Sequence, residues 1–554
     1  MTSQASIRRD EARAPAAPLA LDALKGLRAM IINCPLREDA LPNCAPLGPA
    51  LLGARLLQHG ADARIVDLNA YRVPALDKPA GRHLTLAEAV GLIRRTAQKH
   101  GAPHLIGLGG MITTLRWQRD LARALRREFP DALLVSGAGL ATEFREGLFN
   151  WIPELDGIVH SEADDIILTV GINALFSAKM GRSAFKRAGL ERTVYAGDRP
   201  ADLDVLPLPA WDLLLEDVDG VRILETYIKN EIWGVKANNS SATPFLMTRS
   251  LNTVSSRGCP HACNFCFKGA QGERQYGVRS AACITHEVTW LHSRFNINWV
   301  GFLDDNFMIR ADRIEDMIPT LGVFCREKGV RWGTHGRLDE AADLRPDGKG
   351  GNVGAARRRV DAMAEAGCVY IGFGAESANP RVLNAMKKGG FMNANGTTKI
   401  NGRDLPQTMI TGYSNVIKAG IHGNCTWIKG HISEDLNALK DSVAFVLWQR
   451  GLIGKSESVN SRFFTSTYYP GTEMGRHPKV QMRLAEGFDI NFGADGNPIC
   501  DDALLEYVLQ LDDADKVLVD KKGNDVFYSD MTAAQFKQCS ELIDAGDLEG
   551  VMRL

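Results

Sequence analysis

From Leu27 onward the chain alternates short, almost wholly apolar runs with longer stretches in which apolar residues recur every three or four positions. The runs at 29–33, 63–67, 105–108, 132–135 and 157–159 read as strands. A strand covered by helices on both faces has no polar side, so its sequence is nearly continuous in apolar residues. The periodic stretches 49–59, 85–100 and 115–129 read as helices, with a proline near the start of the first and Gly60 and Gly101 closing the first two. Strands separated by helices need crossover connections and lie parallel. The pattern therefore predicts an α/β, doubly wound, Rossmann-like sheet over residues 27–198.

A second series follows. Apolar runs at 251–255, 299–303, 331–333, 370–373, 424–428 and 463–465 each close on polar residues. Six strand–helix units of this kind predict a partial TIM-type (β/α)6 barrel over 246–472, with its chemistry at the carboxyl rim. Residues 1–26 read as a flexible tail and 199–245, proline-spaced at 202–212, as a linker. The region 473–554 reads as a small C-terminal cap; from Asp501 it holds thirteen acidic residues against five basic ones. Two glycine-rich loops, 346–354 and 389–407, are expected either to cover substrate or to form surface insertions.

Composition narrows the function classes. A chain of 554 residues with 45% hydrophobic and 24% charged residues is a multi-domain globular protein. Lys and Arg number 65 against 66 Asp and Glu, so no basic excess points to nucleic acid or an acidic membrane. No apolar run approaches the roughly 18 residues that a spanning helix needs. The first residues carry no signal-peptide core, so the eleven cysteines are expected in a reducing, cytoplasmic setting, serving metals or catalysis rather than disulfides.

The cysteines carry the sharpest signal. Cys259, Cys263 and Cys266 stand in a C-x3-C-x2-C array directly after the first barrel strand. Three thiolates on one loop can hold three irons of a [4Fe–4S] cluster and leave the fourth open, whereas electron-transfer clusters normally take four cysteines. An open iron can chelate the amino and carboxylate groups of S-adenosylmethionine (SAM). Structural zinc is the rival, but it wants four ligands; His261, inside the loop, is the available fourth. Cys283, Cys325, Cys368, Cys425 and Cys539 sit in apolar segments and read as buried small hydrophobes. His286 and His292 read as surface residues. In the first domain, ligands of such sheets bind beyond the carboxyl ends of the strands. Those ends carry Gly109, Gly110, Met111, Thr113 and Thr114, then Ser136, Gly137 and Gly139, then His160 and Glu162. No G-x-G-x-x-G opens the first helix, which argues against a dinucleotide.

The first domain resembles the cobalamin-binding domain fused to radical SAM enzymes. The resemblance rests on Pro46-Leu-Gly48, Gly60 with Val66-Asp67, Ser136-Gly-Ala-Gly139 before Ala141-Thr142, and Asp156-Gly-Ile-Val-His-Ser-Glu162. The D-x-H-x-x-G signature that supplies an axial His to cobalt is absent, as is usual in that family. Cys34 and Cys44 lie near the expected corrin face. The barrel resembles the radical SAM family in Arg257-Gly-Cys-Pro260, Phe302-Leu-Asp-Asp-Asn-Phe307, Gly374-Ala-Glu-Ser377, Met386-Lys-Lys388 and Ile428-Lys-Gly430 with Glu434. The resemblance implies that Phe265 shields the cluster or touches adenine, and that Asp304 or Asp305 receives the SAM amino group. It further implies Arg337 for the SAM carboxylate, Glu376 and Ser377 for the ribose, and Gly430 for adenine.

The expected activity is that of a cobalamin-dependent radical SAM enzyme, most simply a methyltransferase. It would act on an unactivated carbon of a small-molecule substrate through a 5′-deoxyadenosyl radical and methylcobalamin. A flavodoxin- or ferredoxin-like electron donor is expected, and neither nucleic acid nor membrane. Oxidative cyclisation or rearrangement, transfer of another SAM fragment, and phosphorus methylation use the same cofactors and stay open. A non-catalytic cobalamin or redox sensor, and a zinc-stabilised binding protein, are the readings of other classes.

Overall fold

The structure, a computed structural model, describes residues 11–14, 19–36, 41–229, 247–267, 275–344, 358–454, 459, 462–511 and 517–554. The chain divides into two compact units. The first comprises Met1–Ala201, Val205–Thr226 and Cys500–Ala514; the second comprises Asp202–Asp204, Tyr227–Ile499 and Asp515–Leu554.

The first unit is built on six parallel strands: β1 Arg28–Asn33, β2 Asp62–Asp67, β3 Leu105–Gly109, β4 Leu133–Gly137, β5 Gly157–Ser161 and β6 Thr193–Gly197. Their order is β2-β1-β3-β4-β5-β6. The five expected strands are present, each running one or two residues further at one end, and β4 starting one residue later, at Leu133. The sixth, β6, escaped the sequence reading; it is short, and it gains a partner from far away in the chain. Ala12 bridges to Tyr195, donating its N–H to the Val194 carbonyl at 2.9 Å. The order reverses between β1 and β3, the switch point where open α/β sheets bind ligands. Helix Leu86–His100 begins where the sequence places it because Thr85 and Glu88 form a reciprocal capping box.

The second unit carries β7 Ser250–Thr253, β8 Trp299–Phe302, β9 Arg331–Gly336, β10 Cys368–Glu376, β11 His422–Lys429 and β12 Phe463–Thr465. They pair in simple succession, all parallel, as an open half-barrel. One face is sealed by helices: Trp427 stacks on Phe463 and meets Phe445 of helix Leu436–Ile453 edge-on.

Two expectations change. The glycine-rich stretch 389–407 is an ordered turn and hairpin, Thr397–Ile400 paired with Arg403–Pro406. Asn401 and Gly402 both take positive φ, the Asn-Gly turn that matches strand twist. The loop at 346–354 lies outside the described residues. The region 473–554 does not gather into one piece. Residues 500–511, with helix Asp502–Val508, join the first unit, where Arg116 donates to the Leu509 carbonyl at 3.1 Å. Residues 517–554 fold onto the second unit through helices Ala533–Asp544 and Leu548–Arg553. Among the described residues no helix is long and apolar enough to cross a membrane.

Candidate functional site

The cysteine loop leaves the carboxyl end of β7, where Gly258 takes φ +81°, a conformation L side chains rarely adopt. Asn264, between the second and third cysteines, pins the loop. Its N–H donates to the Met386 carbonyl at 3.1 Å and its amide to the Ala385 carbonyl at 2.9 Å, while Oδ1 lies 3.3 Å from His431 Nε2. Burial is the largest cause raising the Cys259 thiol pKa. Cys266 is exposed as a residue, yet burial of its thiol, then Cys263, Asp305 and Cys259, push it up to about 12. The Cys263 and Cys259 sulfurs thus lie close enough to disfavour the Cys266 thiolate unless a cation sits beside them. Arg337 supplies one: its guanidinium is 3.8 Å from Cys263 Sγ and is held by Asp339 at 2.9 Å. Three thiols on one loop beside a buried guanidinium fit an iron–sulfur cube. Among the described residues no three His, Cys, Asp or Glu gather as one ion would require, and a cube asks for none, since each sulfur takes its own iron. His261 lies 3.4 Å from Glu340 Oε1.

The rim residues expected to meet SAM divide. Asp304 is buried and committed to the fold: it accepts from the Ser255 N–H at 2.7 Å and from the Ser255 and Ser256 hydroxyls at 2.5 and 2.6 Å. Asp305 is exposed and near enough to Cys259 and Cys266 to raise both thiols. Glu376 stands at the end of β10 with φ +66° and its Oε1 3.4 Å from Lys388 Nζ. Strain of that kind in a non-glycine residue gathers at ligand sites. Ser377 is fully buried, and its hydroxyl accepts from the Asn379 N–H at 3.2 Å rather than facing the rim. Gly430 is covered as well. A Cβ there would stand 2.9 Å from the Phe536 ring, and its N–H donates to Glu434 at 2.5 Å. Phe265 packs with Val382, Met386 and Ala438 and meets His431 edge-on. Lys388 was only a landmark in the sequence; here its carbonyl accepts from Arg337 and its charge reaches Cys266. No sequence spacing links it to the cysteines, which lie more than a hundred residues earlier.

In the first unit the strand ends present bare backbone. A Cβ on Gly107 would meet nothing within 4 Å, and on Gly109 or Gly137 only distant atoms at 3.9 and 4.0 Å. Met111, half exposed, lies beside Gly139. This open floor across β3 and β4, beside the switch point between β1 and β3, fits a flat, bulky ligand such as a corrin. Gly110 instead makes room for Thr114. The hydroxyls of Thr114 and Ser136 are turned inward: Ser136 donates to Gln118 at 2.7 Å, Gln118 to Thr114 at 3.0 Å, and Thr114 to the Met111 carbonyl at 2.7 Å. Both residues are fully buried and brace the floor from below. Thr113 is partly exposed. His160 lies 3.3 Å from Glu11 and 3.1 Å from the Ser161 hydroxyl, its pKa lowered first by burial. Glu162 pairs with Arg199 at 2.9 Å. Cys34 is completely buried, which pushes its thiol up to about 12. Cys325, Cys368, Cys425 and Cys539 are buried as expected, whereas Cys283 is half-buried against Arg279 at 3.2 Å.

Residues 253–436 match the Radical SAM superfamily. An uncharacterized methyltransferase of Pyrococcus horikoshii is 22% identical over 436 residues, 77% of each chain. Among solved structures, the cobalamin-dependent S-adenosylmethionine radical enzyme OxsB, with aquacobalamin bound, superposes with a TM-score of 0.62 at 16% identity, over 94% of this chain and 67% of its own. The radical S-adenosylmethionine methyltransferase TsrM of Kitasatospora setae, with tryptophan substrate and a SAM analogue bound, gives 0.58 at 14% identity over 95% and 88%.

Proposed function

We propose that this chain, which carries a radical SAM domain, is a cobalamin-dependent radical SAM methyltransferase with a small-molecule substrate. The observation that carries the reading is the pinned three-cysteine loop at the mouth of a six-stranded half-barrel, with Arg337 against Cys263. When bound, the cluster supplies the electron that cleaves SAM and the corrin supplies the methyl carrier.

This chain's own residues do the holding. Cys259, Cys263 and Cys266 ligate three irons. Arg337 balances the thiolate charge, because a buried cation beside sulfur favours the ionised form. Asp305 receives the SAM ammonium through a charge-assisted bond, and Glu376 with Lys388 frames the sugar. Phe265 keeps water from the cluster. In the first unit Gly107, Gly109, Gly137 and Gly139 would hold the corrin against backbone, with Met111 beside Gly139. Thr114 and Ser136 stiffen that floor instead of touching the ligand. The reductant is a flavodoxin- or ferredoxin-like protein.

The test is product analysis under anaerobic turnover with methyl-labelled SAM. The reading expects S-adenosylhomocysteine, 5′-deoxyadenosine and labelled methyl in the product. Turnover that forms 5′-deoxyadenosine without S-adenosylhomocysteine would replace methyl transfer by ring closure or rearrangement.

A further inference from the structure

Helix Ala138–Phe144 starts at the carboxyl end of β4 and borders the glycine floor. Gly139 and Glu143 stand one turn apart and share a face. That face looks onto the loop after β3, because a Cβ on Gly139 would lie 3.3 Å from Met111 Sδ. Arg145 ends the helix. Its charge is felt at His160, on the carboxyl end of β5, whose pKa is lowered by burial first and by Arg145 next. Glu143 and Arg145 thus stand at the ends of β4 and β5 beyond which such a sheet binds its ligand.

Neither group is satisfied within the chain. Glu143 Oε2 and Arg145 Nε are buried without a hydrogen-bond partner. Burial raises the Glu143 pKa from 4.5 to about 7, and Arg145 draws it back only in part. The two feel each other's charge, yet no ion pair joins them among the described residues. Buried polar groups normally have partners, and leaving one bare is costly. Arg145 adds strain, since its φ of +43° is one that L side chains rarely adopt. Strain of that kind gathers at ligand sites.

What the pair lacks defines what would complete it. The carboxyl oxygen wants a donor and the guanidinium an acceptor. An anion would meet Arg145 but be repelled by an ionised Glu143, and a cation the reverse. An uncharged carboxamide serves both, giving its N–H to one and its C=O to the other. The corrin ring carries carboxamide arms around its rim, whereas the nucleotide tail of cobalamin carries a phosphate.

We propose that Glu143 and Arg145 clamp one carboxamide arm of the corrin between them, a polar rim contact beside the glycine floor. The inference rests on the cobalamin reading of the first unit. Its test is equilibrium dialysis of the full-length, corrin-free protein against hydroxocobalamin and against diaquacobinamide, which keeps the ring's carboxamides and lacks the nucleotide phosphate. Glu143→Leu and Arg145→Ala each weaken the binding of both corrins about tenfold, the worth of one lost hydrogen bond. Glu143→Gln still accepts from an amide N–H and stays within about twofold of the wild type. Circular dichroism and cluster iron stay at wild-type levels in all three variants, which separates corrin contact from folding. Affinity indifferent to both Glu143→Leu and Arg145→Ala, a loss confined to cobalamin, or an equal loss in Glu143→Gln overturns the proposal. A wild type that binds neither corrin defeats the cobalamin reading instead.

Discussion

Two adjacent aspartates do different work. Asp304 ties β7 to β8 through three hydrogen bonds, and Arg313 donates to the same Ser255 hydroxyl at 2.8 Å. Asp304→Ala leaves buried donors without an acceptor and is expected to cost about 3 kcal/mol, read by denaturant unfolding. Asp305→Asn leaves stability unchanged and weakens SAM binding about tenfold, read by equilibrium titration. The reverse assignment of the two effects would exchange their roles. Glu434 gives a pH signature. It is fully buried, and burial raises its pKa from 4.5 to about 8. The folded state then keeps a proton that the unfolded chain releases above pH 4.5, so stability falls as pH rises towards about 8 and levels beyond it. Glu434→Gln keeps the acceptor for the Gly430 N–H and removes the ionisation. Its unfolding free energy is expected to be flatter across that window and higher than wild type at pH 8.

At the scale of elements, the site depends on one close helix contact. Helix Gln407–Lys418 presses Gly412 against the turn after β9, where a Cβ would stand 2.1 Å from the Leu338 carbonyl oxygen. Backbone cannot yield as a side chain can. Gly412→Ala is expected to cost about 2 kcal/mol by overpacking and, by shifting the turn that carries Arg337, to lower cluster iron. Iron content at the wild-type level in a destabilised variant would show that the turn holds without that contact. The strands were legible because burial on both faces leaves a continuous apolar run, and the start of helix Leu86–His100 because its capping box is local. The Asn401-Gly402 hairpin was equally local in signal but lay within a glycine-rich stretch that reads as loop. β6 stayed hidden because its second partner, Ala12, is supplied from far along the chain.

For the whole molecule, the three cysteines were plain from spacing alone, since they sit on one loop. The rest of the site was legible only as positions. Sequence could name Asp304, Ser377, Gly430, Thr114 and Ser136, but their commitment to neighbours is a tertiary fact: a hydroxyl turned inward reads the same as one turned outward. Lys388 and the acidic tail show the converse, residues brought to the barrel rim by folding alone. The tail's Tyr528 N–H donates to the Gly430 carbonyl at 2.8 Å, closing a surface that the sequence leaves open to adenine. The proposed chemistry requires a cube with one iron unclaimed by protein. The most direct measurement is electron paramagnetic resonance of the anaerobically reconstituted, reduced protein before and after adding SAM. The account predicts an iron–sulfur signal that changes when SAM is added and is lost in Cys263→Ala. A reconstituted protein with no such signal, or with one that SAM leaves untouched, would contradict it.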